Sequence, residues 1–493
     1  MPISMSRDEI RAVYRQGEDA VVALIEMLIT RFNALEEDVA VLKKQLGKAN
    51  GEITRLKAQI AKDSHNSSKP PSSDMYHAPK NLRKKSFKRS GGQPGHQGHT
   101  LRQVENPDYV NIHQLHGRCT CGRELSAGKF VGYKERQVFD LPPIHLEVTE
   151  HRVEIRKCAC GKQHIAQFPE NVVAPAQYGS RVQAILAYFS SYQLLPQNRL
   201  VEAMRDLFNV HVSEGTLNNI VVKVHERLEK TEESIKSSIR GSAVAHMDET
   251  GMYVAGKRWW EHVCSTVLFT YYFCHPNRGT KAMKDGGMIE GYAGRAIHDG
   301  WASYFDFDCR HGLCNAHHLR ELTFVKEELK QGWAERMIGH LCRIKEIVER
   351  AQAAGRDALA PATLRAYRRQ YSQIIASGYR ANPPSVEVRK PGQRGRLKQS
   401  PSRNLLDRLS KYAEETLAFM YDFNVPFDNN LSERDVRMTK VKQKISGCFR
   451  SPEGAYAFCR IRGYISTVRK HGLNVLDQLI KCFDDKNTAL LPE

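Results

Sequence analysis

The sequence predicts a multidomain α/β protein, and three observations carry that reading. A long helix with a heptad seam opens the chain. Two cysteine knuckles with β-type residues between them follow. From Gly241 onward, strands and helices alternate around isolated acids. At 493 residues the chain exceeds one ordinary domain, and about 150 residues per unit implies three or four units.

Net charge and hydropathy narrow the function classes. The net charge is +19 and the isoelectric point about 9.4, an excess that suits a polyanionic partner. No stretch approaches the ~18 uninterrupted apolar residues of a membrane helix. Met1 to Asp19 alternates charges and lacks the apolar core of a signal peptide. The expected location is therefore cytoplasmic, where the twelve cysteines stay reduced and close pairs point to metal rather than disulfides.

Residues 1–63 read as a helix. Val21, Ile25, Leu28, Phe32, Leu35, Val39, Leu42, Leu46, Ala49, Ile53, Leu56 and Ile60 step alternately by four and three, a seam that predicts a coiled coil. Residues 64–104 read as a basic linker. Lys80, Arg83, Lys84, Lys85, Lys88, Arg89 and Arg102 lie in an acid-free run broken by glycines and Pro94, which suits an arm that tracks phosphates.

Residues 105–175 read as a small zinc-binding β unit. Arg118–Cys119–Thr120–Cys121–Gly122 and Lys157–Cys158–Ala159–Cys160–Gly161 are matching knuckles, and four thiolates suit a tetrahedral Zn2+. Lys134 to Leu141 and His145 to Arg156 carry β-type residues and are expected to form a hairpin joining the pairs. His113, His116, His151 and His164 are substitute ligands. Residues 176–240 are expected to be helical. Within them, Leu200 to Phe208, a turn at Asn209–Val212 and a Ser213-capped helix form a helix-turn-helix pattern, which ordinary helical hairpins share.

Residues 241–450 carry the chemistry. Ala243 to Asp248 reads as a strand ending in an acid. Trp259 to Val267 and Leu268 to Cys274 read as two more strands, and Thr280 to Gly291 as a helix. Arg295 to Trp301 is a short strand that reaches Asp299, and His311 to Asn315 is a fifth strand leading into a helix. This is the order of a ribonuclease-H-like fold. In that fold, converging carboxylates hold two Mg2+ ions for phosphodiester chemistry. Asp248 and Asp299 are the first two candidates. Glu433 is the third, with Asp428 and Asp435 as rivals, since a solvated Glu433–Arg437 pair is the plain alternative.

At this point the chain resembles a transposase of the insertion sequence sixty-six (IS-sixty-six) family, DDE type. The matching strings include Met247–Asp248–Glu249–Thr250–Gly251, His298–Asp299–Gly300–Trp301 and Pro426–Phe427–Asp428–Asn429–Asn430–Leu431–Ser432–Glu433–Arg434. Others are Asn66 to Asp74, Gly91 to His99, Leu313 to Leu322 and Lys442 to Ser451. The resemblance implies Asp248, Asp299 and Glu433 as the Mg2+-binding triad, and it implies zinc at Cys119, Cys121, Cys158 and Cys160. It implies a protein that binds transposon ends in double-stranded DNA, cleaves a strand and transfers the 3′ hydroxyl to target DNA. Such a protein works as a homo-oligomer on DNA, with accessory proteins of the same element.

The long gap before Glu433 is then a helical and basic insertion at about 316–424. It holds Arg389, Lys390, Arg394, Arg396, Lys398 and Arg403 in a second acid-free run. Cys309, Cys314, His317 and His318 offer ligands for a second metal, but no complete four-ligand set is evident, so they are read as structural or substrate-positioning groups. After Glu433 come Arg434, Arg437, Lys440, Lys442 and Lys444, expected to contact the DNA backbone. Residues 451–493 read as a C-terminal helical region. Two other classes stay open: a non-catalytic DNA-binding protein, and a ribonuclease-H-like nuclease without strand transfer.

Overall fold

The computed structural model describes residues 5–63, 66–67, 100–384 and 399–484. Two helices come first, α1 (Arg7–Arg15) and α2 (Glu18–Ile60), then two short strands, β1 (Ile155–Lys157) and β2 (Gln163–Ile165). Four helices follow: α3 (Ser180–Ala187), α4 (Gln197–Phe208), α5 (Glu214–Arg227) and α6 (Glu229–Arg240). Next are β3 (Val244–Val254), β4 (Lys257–Ser265), β5 (Thr270–His275), α7 (Thr280–Gly286), β6 (Arg295–His298) and β7 (Arg310–Leu313). Helices α8 (Asn315–Glu327), α9 (Gly332–Ala353), α10 (Pro361–Ala381), α11 (Pro401–Lys411), α12 (Ala413–Thr416) and α13 (Ala418–Tyr421) come after the sheet. The described chain ends with α14 (Asn430–Ser446), α15 (Pro452–Lys470) and α16 (Val475–Asp484). Five strands form one mixed sheet in the order β5-β4-β3-β6-β7. The protein is thus mixed α/β with a long N-terminal helix.

The chain divides into two compact units, and β3 passes from one into the other after Asp248. The first unit holds residues 1–80, 241–248 and 289–430. A capping box starts α1, with Ser6 and Glu9 each satisfying the other's backbone N–H. Helix α2 has 43 residues, about 65 Å at the usual rise. Its apolar seam is uncovered, with Phe32 62% and Leu46 63% exposed.

In the same unit, β3 pairs parallel with β6, and β6 with β7. A Cβ at Gly312 on β7 would come within 2.6 Å of the Ile297 Cδ1 methyl, which would have to shift to admit it. Ile297 of β6 belongs to the same buried core as Leu322, Trp333, Leu341, Tyr371 and Leu406, so strand and inserted helices share one interior. Each such fully buried apolar side chain contributes roughly 1.5–3 kcal/mol.

The second unit holds residues 81–240, 249–288 and 431–493. Its helical core gathers Leu186, Leu200, Met204, Leu217, Ile465 and Leu479. Between α4 and α5 the chain turns at Asn209, whose φ of 53° is left-handed, and Ser213 caps α5 by accepting from the Thr216 N–H at 3.1 Å. Helix α15 lies on β5, where the Thr270 N–H donates to Thr467 Oγ1 at 3.0 Å.

Two expectations are corrected here. First, β3 does not end at Asp248; it continues to Val254, with Met252 and Val254 buried, and turns into β4 through Ala255 and Gly256. Both turn residues have positive φ, 49° and 75°, as the tightest hairpin turns require. Second, apart from Ile155 and Arg156 at the start of β1, the stretches 134–141 and 145–156 form no strands. Val138, Leu141 and Val148 are exposed, so no packed face rewards their β propensity.

Glu261 on β4 is fully buried in this unit. Thr439 Oγ1 donates to its Oε2 at 2.5 Å and Cys459 Sγ to its Oε1 at 3.8 Å. Burial pushes its pKa from 4.5 to about 7. Between those values the folded chain keeps a proton that the unfolded chain has released. Stability should therefore be greatest below pH 4.5 on this account and fall as pH rises to about 7, by about 3 kcal/mol. Urea unfolding across that window is expected to show the slope in the natural chain and lose it in Glu261→Gln.

Candidate active site

Two acids lie at the same end of neighbouring parallel strands. Val244 is opposite Arg295, Ala245 opposite Ala296 and His246 opposite Ile297. Asp248 lies two residues past the last paired position of β3, and Asp299 directly follows β6. Both are half-buried. Adjacent strands lie about 4.8 Å apart, so the backbone brings the two acids near one another.

A buried histidine organises the turn after β6. Trp301 N–H donates to Asp299 Oδ1 at 2.8 Å, and Gly300 N–H donates to His298 Nδ1 at 3.1 Å. Gly300 has a φ of 90°, which suits a residue without Cβ. Because His298 Nδ1 accepts, its Nε2 carries the proton and donates to His311 Nδ1 at 3.1 Å. His311 Nε2 then donates to the Phe307 carbonyl at 3.3 Å. Burial, reinforced by His311, pushes the His298 pKa down to about 3, so the ring is neutral as this relay requires.

Asn429, a residue that no sequence signal singled out, ties three segments together. It is 1% exposed. Its Oδ1 accepts from His246 Nδ1 at 2.9 Å, and its Nδ2 donates to the Met247 carbonyl at 2.8 Å. Its backbone N–H donates to Cys314 Sγ at 3.1 Å. Buried His318 contacts the Asn315 side chain at 3.3 Å.

Glu433 lies in the first turn of α14 and is half-buried. Its two rivals have structural work. Asp428 Oδ1 accepts from the Asn430 N–H at 3.1 Å, heading the helix. Asp435 accepts from Ser265 Oγ at 2.6 Å, Thr270 Oγ1 at 3.3 Å, Lys470 Nζ at 3.1 Å and Ser466 Oγ at 3.4 Å. Those four donors give Asp435 a structural role.

Arg434, Arg437, Lys440 and Lys444 are exposed along α14. Lys442 differs: its Nζ sits 4.1 Å from the Phe449 ring centroid, and burial lowers its pKa. Lys84, Lys85, Lys88 and Arg89, and Arg394, Arg396 and Lys398, lie outside the described residues.

The two cysteine knuckles have one shared frame. Cys119 N–H donates to the Arg123 carbonyl at 2.9 Å and Gly122 N–H to the Cys119 carbonyl at 2.8 Å. Cys158 N–H to Lys162 and Gly161 N–H to Cys158 repeat this at 2.8 Å each. Gly122 and Gly161 have φ of 85° and 89°, and the flanking pairs are Arg118–Glu124 and Lys157–Gln163. The backbone N–H of Cys121 lowers the pKa of the Cys119 thiol, and that of Cys160 does the same for Cys158. All four thiols are exposed. Among the described residues, no three of them fall in one group with sulfurs within 4.8 Å.

Comparison with known proteins adds two similarities. A family model described as Transposase IS66 family matches residues 175–457, more than half of the chain. Another, described as a family of unknown function (DUF6444), matches residues 10–102. No curated protein matches the chain.

Proposed function

Because the chain belongs to the IS66 transposase family, and so to proteins of DNA transposition, we propose that it cleaves DNA at element ends and joins the freed 3′ hydroxyl to target DNA. The observation that carries this reading is the placement of Asp248 on β3 and of Asp299 directly after β6, at the same end of two neighbouring parallel strands. The strand and helix order supports a ribonuclease-H-like catalytic domain with helices α8–α13 as its insertion.

The donors fit magnesium. Carboxylate oxygens from Asp248 and Asp299, with Glu433 as third ligand, are hard ligands of the kind Mg2+ takes. Two such ions, when bound, would supply charge neutralisation at the attacking and leaving oxygens. The protein's own contribution is placement. The Asn429 contacts hold β3 at Met247, and the His298 relay holds the turn at Asp299. The cationic residues of α14 would hold phosphates in register, and the two basic runs would extend that grip.

Other segments fit end binding and assembly. The twin knuckles, each with its first thiol (Cys119, Cys158) lowered in pKa, suit a structural Zn2+ held by Cys119, Cys121, Cys158 and Cys160. Helices α4 and α5 suit a helix-turn-helix reader of element ends. The uncovered seam of α2 suits a coiled coil that pairs protomers on DNA, with accessory proteins joining the same complex. Among the described residues no helix is long and apolar enough to cross a membrane.

A strand-transfer assay with labelled element ends, target plasmid and Mg2+ tests the proposal. The expected result is covalent joining of the 3′ end to target, lost on chelation. Cleavage without joining would favour the nuclease reading. Binding with neither would favour a non-catalytic DNA-binding protein.

A further inference from the structure

Around Lys440, which the sequence already marks for DNA contact, the second unit carries an aromatic–cationic cluster from the β3–β4 hairpin and the segment after β5. Arg258 and Arg278 both contact the Trp260 indole, with guanidinium carbons 4.7 and 4.8 Å from its ring centroid. Such stacking stiffens an arginine that would otherwise sample many rotamers. Arg278 is fixed further by Glu249, whose Oε1 accepts from Nε at 3.0 Å and Nη2 at 2.6 Å. The Glu249 side chain is only 2% exposed, so it serves as an anchor and leaves the Arg278 side chain 38% exposed.

The second cation group converges on Gly251. A Cβ there would sit 3.3 Å from Arg258 Nη2, so the bare glycine lets the guanidinium lie against the strand. Lys440 of α14 donates to the Gly251 carbonyl from the other side chain of the cluster. Burial, and then the neighbouring Arg258 charge, lower the Lys440 pKa. Among the described residues neither Arg258 nor Lys440 forms a salt bridge. The acid that acts on Lys440 is Glu261, which is fully buried and whose pKa is raised to about 7, so it balances them poorly. The chain is held beside them as well, because Phe449 N–H donates to the Tyr253 carbonyl at 3.0 Å and Ala255 N–H to the Phe449 carbonyl at 2.8 Å.

Two like charges held at Gly251, one from β4 and one from α14, favour an anion. The ligand class follows from the shape. A rigid planar guanidinium suits two oxygens of a phosphate, and a nearby ammonium suits a third or the next phosphate along. We infer that Arg258 and Lys440, supported by Gly251, Trp260 and Arg278, form a phosphate-binding site for the DNA backbone. This inference rests on the transposase reading for its substrate. Trp260 and Arg278 act as positioning residues.

The test uses the full chain and a fluorescent duplex of arbitrary sequence, since phosphate contacts carry no sequence information. Affinity is measured across a salt series for the natural chain, Arg258→Gln, Lys440→Gln and the double variant. Each lost phosphate contact lowers the steepness of log affinity against log salt by roughly 0.9, so the double variant should lose about 2. Arg258→Lys should keep most of the steepness, and Trp260→Leu should weaken binding less than Arg258→Gln. Thermal unfolding midpoints, unchanged for these surface positions, separate a lost contact from a lost fold. A double variant with natural stability and unchanged salt dependence overturns the site, as does a natural chain that does not bind the duplex. Strand transfer is run in parallel. A chain that shows the expected salt slopes yet never joins ends overturns the transposition reading and leaves the phosphate site standing.

Discussion

Asp248→Asn and Asp299→Asn chains are expected to bind element-end DNA with natural affinity and to lose cleavage and joining by roughly three orders of magnitude or more. The size follows from what the carboxylates would do. If each loss removes about 4 kcal/mol of charge stabilisation in the transition state, the rate falls about a thousandfold, at roughly 1.4 kcal/mol per factor of ten. Asparagine is the informative choice at position 299. It preserves an acceptor for the Trp301 N–H, which donates to Asp299 Oδ1 at 2.8 Å, so the turn after β6 survives while the charge is lost. Alanine would remove both and confuse chemistry with placement. Glu433→Gln should behave like the other two. Single-turnover cleavage of labelled ends, alongside anisotropy for binding, checks all three. A natural cleavage rate in Asp248→Asn or Asp299→Asn would sink the acid-pair assignment. An effect confined to binding would instead make the acids structural.

How much of this was readable beforehand depends on how far the cause of each feature reaches along the chain. Local periodicity was enough for α2, for the Ser213-capped α5, for the strand carrying Asp248 and for the strand just before Asp299, because each pattern repeats within one segment. The extension of β3 past Asp248 was not legible. It depends on Met252 and Val254 finding a core that includes Val436 and Phe458, almost two hundred residues away. The stretch 134–156 failed in the opposite way. Its β-type residues form a local pattern without a packed face to use it, so strand structure is confined to Ile155–Lys157 and Gln163–Ile165. Among the acids, spacing could not rank Glu433 above Asp435. The structural role of Asp435 was equally illegible, because its four donors, Ser265, Thr270, Ser466 and Lys470, come from distant segments. The Arg258–Trp260–Arg278 stack was hidden for the same reason: alternation along β4 marks Trp260 as a sheet residue and says nothing about Arg278 after β5.

Asn429 is the sharpest case of a residue whose role exists only in three dimensions, and its replacement should have the second largest effect. Asn429→Ala removes the donor to the Met247 carbonyl and the acceptor for His246 Nδ1, both in a buried setting. Each stranded buried group costs about 1–3 kcal/mol, so a loss of roughly 2–5 kcal/mol is expected. Asn429→Asp is the discriminating variant. It keeps an acceptor for His246 but turns a carboxylate oxygen toward the Met247 carbonyl, where the amide had donated. It should therefore be at least as damaging as alanine, although it is nearly the same shape. The functional loss should exceed the loss of folded protein. Met247 is the residue before Asp248, so a shift of about 1 Å in β3 moves a reacting group, and such shifts cost on the order of a hundredfold in rate. The measurement is single-turnover cleavage well below the melting temperature, where the folded fraction of both variants is essentially complete. A natural rate there, with only the melting temperature lowered, would reduce Asn429 to a packing residue and leave β3 held by its pairing with β6 alone.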